Sequence, residues 1–288
     1  MPLDFSFLFP LNRCMNLIKS DIYQGLNIAV HSRLFSIVLW LVAALVISVM
    51  LAAQFSARQP ATVALDIGIT VIHLALPLLV ILLVQELFSR EFERKFFLNS
   101  FTYPRDRSYW LLGRFAAILI IAFSLLLIMG LILALLSLNI ASAYPQATPV
   151  GLGLPYLITL GFTAIDLLVV ISIAILLAVS ATTPSFVLIG TIGFVLIARS
   201  YTPIIELLRA NPYAVEQFSA DPRLYQDSLG LLAFLLPDLG RLDVRMIALY
   251  DKMTFLPSDW PLLLGATLAY VTALLSLGVW VLNKREFN

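Results

Sequence analysis

The sequence predicts an all-α polytopic membrane protein with six transmembrane helices, and three observations predict it. Of 288 residues, 61% are hydrophobic and only 12% are charged, with a mean hydropathy of +0.97; a soluble domain carries about 25% charged residues. Six apolar stretches, near 34–54, 63–87, 109–137, 152–179, 184–202 and 261–282, match the ~20 residues that cross a ~30 Å hydrocarbon core. The cations between these stretches fall mostly on one side, as expected of a membrane protein with a set orientation. Residues 1–288 therefore read as a single transmembrane domain.

The N-terminal apolar run, Phe5 to Leu11, follows Asp4 and is broken at Pro10, so it does not read as a cleavable signal. Residues 13–32 are amphipathic. Met15, Ile18, Ile22, Leu26 and Ala29 share one side at spacings of three and four, and Lys19, Asp21, Gln24, Asn27 and His31 fill the other. This pattern predicts an elbow helix lying in the headgroup region, with a soluble N-terminal helix as the plainer alternative. Pro184 and Pro203 bracket the fifth span, and Arg199 sits near one of its ends.

Between the second and third spans, residues 86–114 hold six cations and four acids. Phe88, Phe92, Phe96 and then Phe97, Phe101 recur at spacings of four, giving a helix with an aromatic side and a charged side. Tyr103-Pro104 stops it, because proline pushes its predecessor out of the helical region. Residues 88–108 thus form a short cationic bridge at a membrane face. Between the fifth and sixth spans, residues 203–260 carry helix-start signals at Asn211-Pro212 and Asp221-Pro222 and the run Leu235 to Arg245. They predict two or three short helices over the outer face; Leu229 to Leu236 is apolar but too short to cross.

Orientation follows from the cations. With the N-terminus inside, the inner segments hold Arg13, Lys19, Arg33, the six cations of 86–114, Lys284 and Arg285, while the short outer loops hold only Arg58. Both termini and the 88–108 bridge are therefore expected in the cytoplasm, and 203–260 outside.

Net charge of +1 gives no argument for a nucleic-acid partner, and the lone Cys14 excludes an internal disulfide or a cysteine-rich metal site. The sequence has no phosphate-binding Gly-x-x-x-x-Gly-Lys-Ser/Thr loop, no His-Glu-x-x-His helix and no Gly-x-Ser-x-Gly elbow. No catalytic residue or metal ligand is assigned. Ionisable groups at membrane depth are expensive and mark functional candidates. Asp166 lies near the middle of the fourth span, Asp66 near the outer end of the second, and His73 two turns further in. Asp66 and His73 share a helix face, so a pair or relay is conceivable. The plainer reading puts Asp66 at the headgroups, His73 on a backbone carbonyl and Asp166 on a Ser or Thr across the bundle.

These residues resemble a family, the membrane subunits of type-2 ABC exporters, nearest to the branch with the permeases of nitrous-oxide-reductase maturation and gliding motility. The resemblance rests on the elbow at 13–32; on the inner run Glu91 to Arg94 with Pro104-Arg105-Asp106-Arg107 and Leu112-Gly113-Arg114; and on the outer Leu236-Pro237-Asp238-Leu239 stretch ending at Asp243, with a basic tail after span six. Lys95-Phe96-Phe97 departs from the family's usual threonine or glycine-rich turn, and span five is short. The resemblance implies that 88–103 is a coupling helix seated in a separate ATPase, with Phe92, Glu93, Arg94, Phe96, Phe97, Pro104, Arg105 and Arg107 as the docking residues. It further implies two ATPase copies, ATP and magnesium bound in those partners with no cofactor on this chain, a second permease (identical or related), and a bacterial inner membrane. The expected function is export energised in trans. A mechanotransmitter acting on an extracytoplasmic partner is the alternative, and a proton-coupled carrier would need more mid-membrane ionisable groups than the sequence offers.

Overall fold

A computed structural model describes residues 20–28, 34–56, 58–89, 107–143, 150–181, 183–210 and 237–284. Among these, all regular structure is helical. Six long helices carry the fold: α1 (Leu34–Phe55), α2 (Pro60–Val84), α3 (Arg107–Ala143), α4 (Leu154–Ser180), α5 (Pro184–Ala210) and α7 (Trp260–Lys284). Each contains a stretch apolar enough to cross a membrane, and the six coincide with the six apolar runs of the sequence. The protein is a multi-pass membrane protein by this measure.

α4 lies at the centre, touching α2, α3, α5 and α7, and α1 leans on α2 and α3. Accordingly, 72% of the most apolar window of α4 and 67% of that of α2 are buried, against 11% for α1 and 17% for α5. The outer helices show bare apolar surface such as Phe35, Trp40 and Phe55 on α1, as a lipid-solvated surface requires. Small residues let the helices close up: a Cβ on Gly130 would touch Leu160 at 3.0 Å, and the Gly130 carbonyl accepts the buried Tyr156 hydroxyl at 2.7 Å. The start of α2 and the start of α4 each place a proline in the first turn, where its missing N–H removes no helical bond.

The two ends of the bundle are built differently. At one end α2 runs into a π-helical turn, Gln85–Ser89, and Gln85 Nε2 donates to the Pro184 carbonyl at the start of α5 (2.6 Å). Arg107, the first residue of α3, donates to the Leu282 carbonyl at the end of α7 (3.0 Å), satisfying a carbonyl that the helix end leaves open. Residues 20–28 form a helix at this same end. At the other end, residues 237–259 fold as a 3-10 turn (Gly240–Leu242), a short α6 (Arg245–Tyr250) and a second 3-10 turn (Met253–Phe255). The Gly151 N–H, just before α4, donates to the Ala248 carbonyl of α6 at 2.9 Å.

Two expectations change. The helix at 20–28 turns its Asp21–Gly25 side inward: Asp21 and Gly25 are buried, while Ile22 and Leu26 are only half-buried. The reason is close approach to α3, where Gly113 faces the Asp21 side chain and Gly25 faces Ala117. Nor does the connector at 237–256 merely lie over the bundle. Leu239, Leu242, Val244 and Ile247 are buried in one cluster with Phe162 and Val169 of α4, Ala198 of α5 and Leu263 and Val271 of α7. The connector is an insert wedged among the spanning helices.

Candidate functional site

Most of the residues expected to dock an ATPase, namely Phe92, Glu93, Arg94, Phe96, Phe97, Pro104 and Arg105, lie outside the described residues. The flanks of that segment are described, and both are packed into the bundle. Leu87 and Phe88 are fully buried. The Phe88 ring meets Trp110 of α3 edge to face at 5.3 Å, an arrangement that stabilises an aromatic pair beyond its buried area. Phe88 therefore belongs to the core and not to an exposed aromatic row, and 90–106 springs from a clamped base. Arg107 points its guanidinium at the end of α7, as described above. Beside this base the buried Arg114 stacks within 6.0 Å of the Trp110 ring centroid, and the position of a Cβ on Gly25 is 3.5 Å from Arg114 Nη1. The buried acid of the 20–28 helix and the buried base of α3 thus share one small region.

The intramembrane candidates assemble into a junction of α2, α4 and α5. Asp166 is twelve residues into α4, about 18 Å along its axis at 1.5 Å per residue. Its side chain is 4% exposed, and Oδ2 accepts Arg199 Nη2 of α5 at 2.5 Å. Arg199 also reaches across to α2, where Nη1 donates to the His73 carbonyl at 3.5 Å. That carbonyl is open for a local reason. Its helical donor would be the N–H four residues on, and that residue is Pro77, which has none. In a membrane such freed carbonyls must be satisfied by a neighbouring helix, and Arg199 does so.

His73 meets α4 through its ring: Nε2 lies 2.7 Å from Thr163 Oγ1. The Thr163 hydroxyl donates to the Thr159 carbonyl at 2.9 Å. Its oxygen is then left to accept, so Nε2 carries a proton and the imidazole is the donor. His73 and Asp66, though on one face of α2, take different partners.

Asp66 belongs to a second cluster, on the insert. Arg245 Nη1 contacts Asp66 at 3.3 Å and Thr70 at 2.8 Å, both on α2, and Arg245 Nη2 pairs with Asp243 at 2.6 Å. Partial burial pulls the Arg245 pKa down, but the hydrogen bond and charge of Asp243, with Asp66, more than offset it and leave it above its ordinary value. The two clusters differ in depth: the Asp66 side chain is half-exposed (45%) and that of Asp166 is buried. Of the remaining outer-motif residues, Asp238 Oδ1 accepts the Arg241 N–H (3.2 Å) to fix the first 3-10 turn, and the Pro237 carbonyl accepts the Leu239 N–H (3.0 Å).

This arrangement holds helices in register, tying α5 to α2 and α4, α2 to α4, and the insert to α2. Among the described residues no group of His, Cys, Asp and Glu could hold a metal ion. The sequence reading singled out Asp166, His73 and Asp66 but not Arg199 or Arg245 as their partners. A proline four residues after His73 was the signal that something must cap that carbonyl. Neither models of known protein families nor curated proteins match this chain.

Proposed function

We propose that this chain is the permease subunit of a type-2 ABC exporter, energised by a separate ATPase that docks on the cationic, aromatic segment 90–106. The observation that carries this reading is the base of that segment. Phe88 locked on Trp110, Gln85 tied to the start of α5 and Arg107 tied to the end of α7 join the segment's two flanks to four spanning helices. Force applied to a loop held this way reaches the whole bundle, which is what a subunit driven in trans requires. Two copies of the permease with two ATPases, ATP and magnesium in those partners, and a bacterial inner membrane with cytoplasmic termini complete the proposal. The cargo is left unassigned.

In this reading, aromatic and arginine side chains anchor the ATPase, as they anchor interfaces generally. At membrane depth Asp166 pairs with Arg199 and His73 with Thr163, while Asp166 Oδ1 and Arg199 Nε have no hydrogen-bond partner among the described residues. The wedged insert favours a second reading, in which strokes at one end are delivered through α4 and α5 to a partner at the other. Affinity purification of the tagged chain in mild detergent tests what the two readings share: a stoichiometric ATPase should co-purify and be lost when Phe92 and Phe96 are both changed to Glu.

A further inference from the structure

The spanning helix α7 carries its own depth markers. Trp260 begins it, and Trp280 lies twenty residues on, with Lys284 Nζ over its ring at 4.1 Å. Twenty residues at 1.5 Å each is ~30 Å, the thickness of a hydrocarbon core. Tryptophans at both ends of such a span, one with a lysine beside it, mark the two membrane–water interfaces. Trp260 therefore sets the level of one interface.

Directly before Trp260 the chain forms a finger whose base packs on the bundle through Leu256 and whose tip, 252–255, is exposed. All of Lys252, Met253, Thr254 and Phe255 are exposed, and the second 3-10 turn has no buried residue. Met253 and Phe255 are 42% and 46% exposed, beside Tyr250 at 41% and Trp260 at 43%. Tyr250 and Phe255 meet at 6.0 Å.

The finger is nevertheless held firmly. Asp251 turns the chain at φ 52°, and the Asp251 side chain sits on Gly151 so closely that a Cβ there would lie 2.6 Å from Oδ1. Arg241 and Asp259 close its base with an ion pair at 2.6 Å. A rigid turn that presents a methionine and aromatics outward, at the level of the membrane interface, has no reason to face water.

We infer that residues 250–260 are a membrane-interface anchor, with Met253 and Phe255 seated among the upper acyl chains of the bilayer and Lys252 at the headgroups. The occupant is lipid, because Trp260, which marks the interface, closes the finger, and Leu262 two residues on is 74% exposed on the lipid-facing side of α7. The anchor joins the insert to the bilayer on one side while Arg245 joins it to α2 on the other. This inference rests on the membrane-spanning reading alone and stands whether or not an ATPase drives the chain.

The test uses the full-length protein with Cys14→Ser and Met253→Cys, labelled with the fluorophore NBD and placed in phosphatidylcholine–phosphatidylglycerol nanodiscs. A nitroxide high on the lipid acyl chain should quench the label more strongly than one at the chain end. Aqueous iodide should quench it at least ~3-fold less than NBD-cysteine free in solution, as expected for a side chain ~5–10 Å below the surface. Adding Phe255→Asp should raise iodide access. Full iodide access without nitroxide quenching would overturn the inference, and protection from both quenchers would also overturn it by placing protein over the finger.

Discussion

Replacing Arg199 with leucine takes the guanidinium away from Asp166 and leaves an apolar side chain in its place. Asp166 is 4% exposed and Arg199 30%. Removing one partner of a fully buried pair costs about 3–5 kcal/mol, and the partial exposure of Arg199 brings this to roughly 2 kcal/mol. The His73 carbonyl loses its donor as well, adding about 1 kcal/mol. Arg199→Leu should therefore destabilise the protein by about 2–4 kcal/mol, or roughly 5–10 °C in a thermal unfolding midpoint on the scale of a domain this size. Asp166→Asn should cost less, since it keeps an acceptor without the charge. The double variant Asp166→Leu, Arg199→Leu should recover most of the loss, because an apolar pair replaces a buried ionic one at little cost. Thermal unfolding of wild type, Arg199→Leu, Asp166→Leu and the double variant, followed by the monodisperse peak on size exclusion in detergent, gives the coupling directly. Additive single effects in the double variant, or singles within ~1 °C of wild type, would refute the pairing.

Three other outcomes follow from the same structure. Arg245→Leu removes a half-exposed pair and should lower stability by less than about 1 kcal/mol. Because the Arg245 pKa is raised above the ordinary arginine value, its stabilisation is present below that value and lost only above it. The stability curves of wild type and Arg245→Leu should then run parallel from about pH 6 to 9, and convergence would show another group titrating in the cluster. Gly113→Ala places a Cβ 2.6 Å from the Asp21 Cβ. Neither atom can rotate away, so hydrogen exchange in 20–28 should accelerate, with a loss of about 1–3 kcal/mol in that contact; unchanged exchange would mean the helix docks elsewhere.

The spanning helices were legible in the sequence because crossing hydrocarbon demands an uninterrupted apolar run, and few other structures leave one. α3 extends further than its apolar stretch suggested, from Arg107 to Ala143, because the helix continues past the bilayer-crossing portion where hydropathy no longer reports it. Asp166 was legible as a costly group, but its partner was not. The apolar run ends at 202 and sets Arg199 near its end, whereas α5 runs on to Ala210, and the pairing joins residues 33 apart on different helices. The inward face of 20–28 misled for a related reason. Helical periodicity ranks residues by polarity and assigns Asp21 to water, because the close approach of Gly113 on α3 is not visible along the chain. The insert at 237–256 read as a surface segment because its apolar positions are too few to resemble a span, yet they are enough to fill a wedge between helices. Its charges then found partners on α2 that only the folded bundle brings near.

The central claim is that this membrane chain works through an ATPase docked on residues 90–106. Purification of the tagged chain in mild detergent, with bound proteins identified, tests it most directly. The account predicts one soluble ATPase in stoichiometric amount, lost on Phe92→Glu with Phe96→Glu while the Arg199→Leu protein retains it. If the double glutamate variant keeps the ATPase, the docking segment is wrong. If no ATPase accompanies the intact chain in any mild detergent, the permease reading falls, and Asp166 and His73 become the residues on which to build a proton-coupled one.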